Sequence, residues 1–151
     1  MFVGMFFGEN DLNALADAEL TAYYKSPMTV RQQGADNSWE NGIKAYNEER
    51  FPAAIASIQR SLEKNNKKVD EKNLYLGLSH LYSKVPNLEK AITSFEKCQD
   101  SVVYGKQAKW FMGLAHLKLG NTEEARALIQ QVADMPDDWK RSEAAALLNR
   151  F

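Results

Sequence analysis

His80 and His116 each stand three residues after a glycine, in Gly77-Leu-Ser-His80 and Gly113-Leu-Ala-His116. Two imidazoles at equivalent places invite a metal site. Zinc is held by Cys, His and carboxylate ligands converging on one point. Neither a cysteine nor an inward acid accompanies this pair, so both histidines are read as packed side chains. Cys98 is the one cysteine of the chain. A nucleophilic thiol needs a neighbouring base and an electropositive, accessible setting. Cys98 lies instead on the apolar side of a helical pattern, where a thiol acts as a small hydrophobe. Ser61-Leu-Glu-Lys64 and Ser94-Phe-Glu-Lys97 match the S-x-x-K spacing of serine acyl-transfer sites, but no S-D-N or K-T-G element completes them. The basic run Lys64-Asn-Asn-Lys67-Lys68, flanked by Glu63, Asp70 and Glu71, reads as a solvated loop, with an anionic contact as the alternative. Asp134, Asp137 and Asp138 around Pro136 read as helix-start residues. A calcium loop would need oxygen ligands at fixed spacing. Neither a glycine-rich phosphate loop nor H-E-x-x-H occurs. The pattern assigns no catalytic residue, no metal and no cofactor.

Bulk properties agree with a packed domain. The chain has 151 residues, enough for one domain with a sizeable core. Its net charge is −1 with 26% charged residues, which disfavours a nucleic-acid surface. No apolar run approaches the roughly 18 residues of a membrane span.

The elements follow from hydrophobic spacing. The stretch Ala108–Val132 carries the clearest signal. Trp110, Phe111, Leu114, Leu117 and Leu119 recur at helical steps, Gly120-Asn121 breaks the pattern, and Thr122 with Glu123 and Glu124 starts a second helix. That helix buries Ala125, Leu128, Ile129 and Val132. Such a pair cannot bury its faces alone and needs neighbours. Leu12, Leu15, Ala16, Leu20 and Tyr23 predict a helix over residues 8–25, ended by Ser26-Pro27. Residues 26–37 show no period. After Met135-Pro136, Asp137-Asp138 should open a last helix, Trp139–Arg150, with Ala144, Ala145, Leu147, Leu148 and Phe151 on its apolar side.

Three windows beyond Ser38 repeat. Gly42, Gly77 and Gly113 are spaced by 35 and 36 residues, and Ala54, Ala91 and Ala125 by 37 and 34. Gly42 to Ala54 and Gly113 to Ala125 are twelve residues apart, while Gly77 to Ala91 is fourteen, which predicts a longer turn at Lys84-Val85-Pro86. Small residues at fixed places in paired helices allow close crossings. A period near 34 of this kind marks a helical solenoid.

This pattern resembles the tetratricopeptide repeat. The resemblance covers residues 36–136 plus a closing helix, with Ser61, Cys98 and Val132 where the family has a second small residue. It implies an all-α fold, a right-handed α-α superhelix. The division is then an N-terminal arm, helix and connector (1–37), repeats at 38–66, 69–101 and 104–136, and a cap at 137–151. It also implies a scaffold for protein–protein contact rather than an enzyme. The alternatives are a peptide-binding co-chaperone or assembly adaptor, or the interaction module of a larger membrane-anchored envelope or regulatory protein.

Projected from the family pattern, the concave groove falls on Trp39, Ile43 and Tyr46, then Leu74, Leu78 and Leu81, then Trp110, Leu114 and Leu117. The best-known peptide-binding members hold a C-terminal carboxylate with Lys, Asn and Arg at such places, and none stands here. Nine apolar or aromatic residues exceed the few hundred Å² that a soluble monomer leaves exposed. Three coverings are open: a shifted phase that makes these positions core, the chain's own N-terminal segment, or a protein partner or second copy. The reading adopted places residues 26–34 in the groove, with Met28 and Val30, or Met1–Phe7, lying there like a ligand.

The first seven residues, MFVGMFF, are apolar or glycine. They read either as a short packing arm or as the outer end of a transmembrane helix that precedes residue 1. The paired Tyr23-Tyr24 and the connector Ser26-Pro27-Met28 resemble those of bacterial envelope proteins that carry such repeats behind an anchor. That resemblance implies an extracytoplasmic position, with the cytoplasm as the alternative, and a membrane contact only through the anchor.

Overall fold

A computed structural model of the protein describes residues 9–27 and 37–151. The readings that fall on Met1–Phe7, Met28 and Val30 lie outside the described residues. Among the described residues eight helices follow one another: α1 (Glu9–Leu20), α2 (Ser38–Asn47), α3 (Phe51–Lys64), α4 (Val69–Tyr82), α5 (Leu88–Glu96), α6 (Gly105–Leu119), α7 (Thr122–Asp134) and α8 (Arg141–Leu148). Each pairs closely with the next from α2 to α8, and α1 returns to pack on α6. The result is an all-α helical solenoid of three hairpins with a closing helix.

The turns have local causes. Pro52 stands in the first turn of α3, where its missing N–H is not needed. Gly120 ends α6 in the left-handed region at φ 80°, and the N–H of Asn121 returns to the carbonyl of His116 at 2.9 Å. Asn121, rather than Thr122, takes the cap position of α7, with no side-chain capping bond, and Glu123 and Glu124 fill the first turn. Asn87 caps α5 by accepting from the Lys90 N–H at 3.1 Å. Five residues, 83–87, join α4 to α5, against two between α6 and α7, so the longer middle turn is where the spacing places it.

The small residues sit at the crossings. Ala54, Ala91 and Ala125 are completely buried. A Cβ on Gly42 would stand 2.7 Å from Ile58 Cγ1, and one on Gly113 would stand 3.0 Å from Ile129 Cγ1. Glycine and isoleucine are the same number of residues apart in both pairs, so α2–α3 packs as α6–α7 does. Gly77 is tighter: its Cβ would meet three atoms of the buried Phe95 ring at 2.6–2.9 Å. Alanine is the better helix former by about 1 kcal/mol, whereas overpacking costs roughly 1–3 kcal/mol. Gly77→Ala is therefore expected to lower stability by about 1–2 kcal/mol, and Gly113→Ala to stay within about 1 kcal/mol of the parent. Urea melts of the two variants check the ranking.

Two helix ends depart from the spacing. The helix read over residues 8–25 stops at Leu20, because Tyr23 and Tyr24 leave it to make tertiary contacts described below. The closing helix starts at Arg141, not Trp139. Asp137 accepts from Lys106 Nζ at 2.6 Å and from the Trp139 N–H at 3.1 Å, and Lys140 at φ 59° turns the backbone before the helix begins. On α8, Ala144 and Leu147 are buried, while Ala145 is exposed.

Candidate partner-binding groove

The first helices of the three pairs, α2, α4 and α6, stand side by side, and the segment 21–27 crosses the face they share. Residues 23–27 have no regular secondary structure. The Tyr23 ring stacks on Tyr46 at 5.2 Å between centroids and meets Tyr82 and Phe51 edge-on at 4.9 and 5.9 Å. The Tyr24 ring lies 5.3 Å from Phe111 and 6.3 Å from each of Tyr75 and Trp139. Ring pairs of this geometry each add about 0.5–1.5 kcal/mol beyond burial. Tyr46 and Tyr75 meet at 5.1 Å and join the two clusters.

Polar contacts fix the same segment by its main chain. The Tyr46 hydroxyl donates to the Tyr24 carbonyl, and the Tyr23 hydroxyl donates to the Tyr46 carbonyl. The Asn47 amide uses both ends on one residue: its Oδ1 accepts from the Ser26 N–H at 2.9 Å, and its Nδ2 donates to the Ser26 carbonyl at 3.3 Å. Burial raises the phenols of Tyr23, Tyr24, Tyr46 and Tyr75 above the ordinary value and pushes Tyr82 up to about 12. These phenols therefore stay neutral at neutral pH. N-terminal to this segment, α1 buries Leu12 and Ala16, and its Asp17 pairs with Lys118 of α6.

All nine residues projected onto the groove are buried: Trp39, Ile43, Tyr46, Leu74, Leu78, Leu81, Trp110, Leu114 and Leu117. Of these, Tyr46 touches the segment directly, and Trp110 lines a cavity of about 200 Å³ beside Tyr24 with Phe111, Trp139 and Lys140. The rings that meet the segment on α4 and α6 are Tyr75, Tyr82 and Phe111, each one residue past a projected position. Of the expected span 26–34, Ser26 is buried and Pro27 exposed, and the rest lies outside the described residues. Tyr23 and Tyr24, read from the sequence as helix residues, are the side chains that enter.

The other candidates stand apart from this face. His80 is buried and His116 bonds Asn121, and burial lowers both imidazoles. Among the described residues no group of three or more His, Cys, Asp or Glu gathers as a metal site. Cys98 is buried, and desolvation pushes its thiol up to about 12. Ser61 and Ser94 are buried on the packing sides of α3 and α5. Asp134 accepts from Gln130, and Asp138 pairs with Arg141 at 3.1 Å. Lys67 and Lys68 are exposed. Sequence reasoning passed over two buried lysines. Lys72 donates to the Ser61 carbonyl and to Asn65, and Lys106 holds Asp137, whose carboxyl it keeps below the usual range.

The tetratricopeptide repeat model matches residues 73–101 and 107–138, which are α4–α5 and α6–α7. The stretch α4–α7 is a pair of tetratricopeptide repeats. Comparison with curated proteins and with solved structures found no match. Tetratricopeptide repeats indicate a scaffold for protein–protein interaction, and such domains bind protein or peptide partners. Among the described residues no helix is long and apolar enough to cross a membrane.

Proposed function

We propose that this tetratricopeptide repeat protein is a non-catalytic scaffold that takes a protein partner on the face of α2, α4 and α6. In the free chain its own residues 23–26 hold that place. One observation carries the reading: an irregular stretch of chain lies across the repeat helices, bound by its rings and by its main chain as a ligand peptide would be. The burial of Cys98, Ser61 and Ser94 supports a role without catalysis. The nine projected residues then form the floor on which the contacting rings stand.

The test opens the face without shortening the chain. A random peptide library is panned on the full-length Tyr23→Ala/Tyr24→Ala variant, with the parent as counter-selection. Peptides that bind the variant, and lose binding when Tyr75→Ala is added, are expected. A variant that melts cooperatively yet enriches no such peptide overturns the proposal.

A further inference from the structure

The chemistry of the partner can be read from what already sits on the face, and the inference rests on the scaffold reading above. We propose that the groove selects an irregular, non-helical segment with two adjacent aromatic residues and a small residue two places later. A partner docks by presenting such a segment in place of Tyr23, Tyr24 and Ser26.

Three hydrogen bonds reach the main chain of the seated segment: the Tyr46 hydroxyl donates to the carbonyl of residue 24, and Asn47 accepts from the N–H of residue 26 and donates to its carbonyl. Any peptide offers those groups, so they set direction and register rather than sequence. Selectivity comes from the side chains. The first ring enters a slot between Tyr46, Phe51 and Tyr82, and the second enters one between Tyr75, Phe111 and Trp139. Lys25 between them and the next small residue is exposed and reads nothing, whereas Ser26 is 8% exposed, which leaves no room for a large side chain. A cavity of about 200 Å³ lies beside the second ring, lined by Trp110, Phe111, Trp139 and Lys140 on the repeat side and by Glu19, Ala22 and Tyr23 on the other. Tryptophan therefore suits that position better than tyrosine. A tethered segment competes at an effective concentration on the order of millimolar. An external peptide must bind more tightly than the resident one, or meet a chain whose resident grip is weakened.

The experiment uses peptides as probes. The nonapeptide of residues 21–29, TAYYKSPMT, is titrated into the full-length parent and the Tyr23→Ala/Tyr24→Ala variant, followed by calorimetry. Binding to the variant at least tenfold tighter than to the parent is expected. The same peptide with both tyrosines replaced by alanine should not bind. A version with tryptophan in the second ring position should bind more tightly still. Adding Asn47→Ala to the variant should weaken binding about tenfold, the effect of losing one good pair of hydrogen bonds. Equal binding of the aromatic and alanine peptides overturns the proposal, as does absence of binding to a variant that melts cooperatively. If that variant does not fold, Tyr24→Ala alone serves, since it loosens the resident segment and leaves the residues of the groove intact. The Ser26 amide should then exchange faster, and the tryptophan peptide should bind at least threefold tighter than to the parent; no change in either overturns it. A dimer in which segment 9–27 is exchanged between copies would make a second copy the occupant and overturn it too. The two proposals fail separately. If panning returns only peptides without an aromatic pair, and their binding needs Tyr75, the scaffold reading stands and this one falls.

Discussion

Trp110→Ala is expected to cost about 3–5 kcal/mol, the range for truncating a fully buried aromatic. Trp110 has no exposed surface, although it lies on the helix that also carries α1. Lys140 Nζ stands 5.7 Å from its ring centroid and loses that contact as well. The cavity beside Tyr24 would open further into the vacated space, since Trp110 is one of its walls. Domains of this size have a total stability of about 5–15 kcal/mol. The melting temperature should therefore fall by on the order of 10 °C, at roughly 2–4 °C per kcal/mol. Trp110→Phe, which keeps a ring, should cost markedly less. A thermal scan in which Trp110→Ala melts within a degree or two of the parent would show that the neighbouring helices close over the gap.

The second large effect is alkaline unfolding. All six tyrosines have their phenols raised, with burial as the leading cause in each. The unfolded chain ionises its tyrosines near pH 10. Above that pH the unfolded state releases protons that the folded state still holds, so stability falls as pH rises. Below pH 10 both states keep the phenols neutral and the contribution is complete. Cys98, pushed up to about 12 from a lower starting value, adds to the loss from the alkaline side of pH 9. Helicity and phenolate absorbance should therefore change together in one cooperative step between about pH 10 and 12. Tyrosines titrating one by one near pH 10 with helicity intact would sink the argument. On the acid side the two histidines act in the opposite sense. Burial lowers both, so the unfolded chain takes up protons first and stability declines as pH falls below about 6.5.

How much of this was legible in the chain differs by element. The repeat showed itself through Gly42, Gly113, Ala54 and Ala125, because a close crossing tolerates few residue types and the requirement recurs with the period. The long turn at 83–87 followed from a shift of two residues. The phase of the inner face did not show on α4 and α6. Every residue from Lys72 to Leu81 is buried, so hydrophobic spacing cannot single out the side that carries Tyr75 and Tyr82. Tyr23 was misplaced for a different reason. It continues the helical spacing of α1, but the aromatic slots on three other helices outweigh local propensity, and nothing local in sequence announces them. Lys106 was invisible as a buried cation because its acceptor stands 31 residues away.

Lys106 also ties the last pair to the segment that closes it. A lysine at the start of a first helix needs an acceptor from the turn that closes its own pair, and Asp137 supplies it. Lys72 lies 34 residues earlier, where the same step falls on Val103, and it donates to Asn65 and to the Ser61 carbonyl. The last pair thus carries its own counter-charge. A hairpin grafted in place of residues 137–151 must therefore bring an equivalent acid, or leave the Lys106 ammonium without the carboxylate that now faces it.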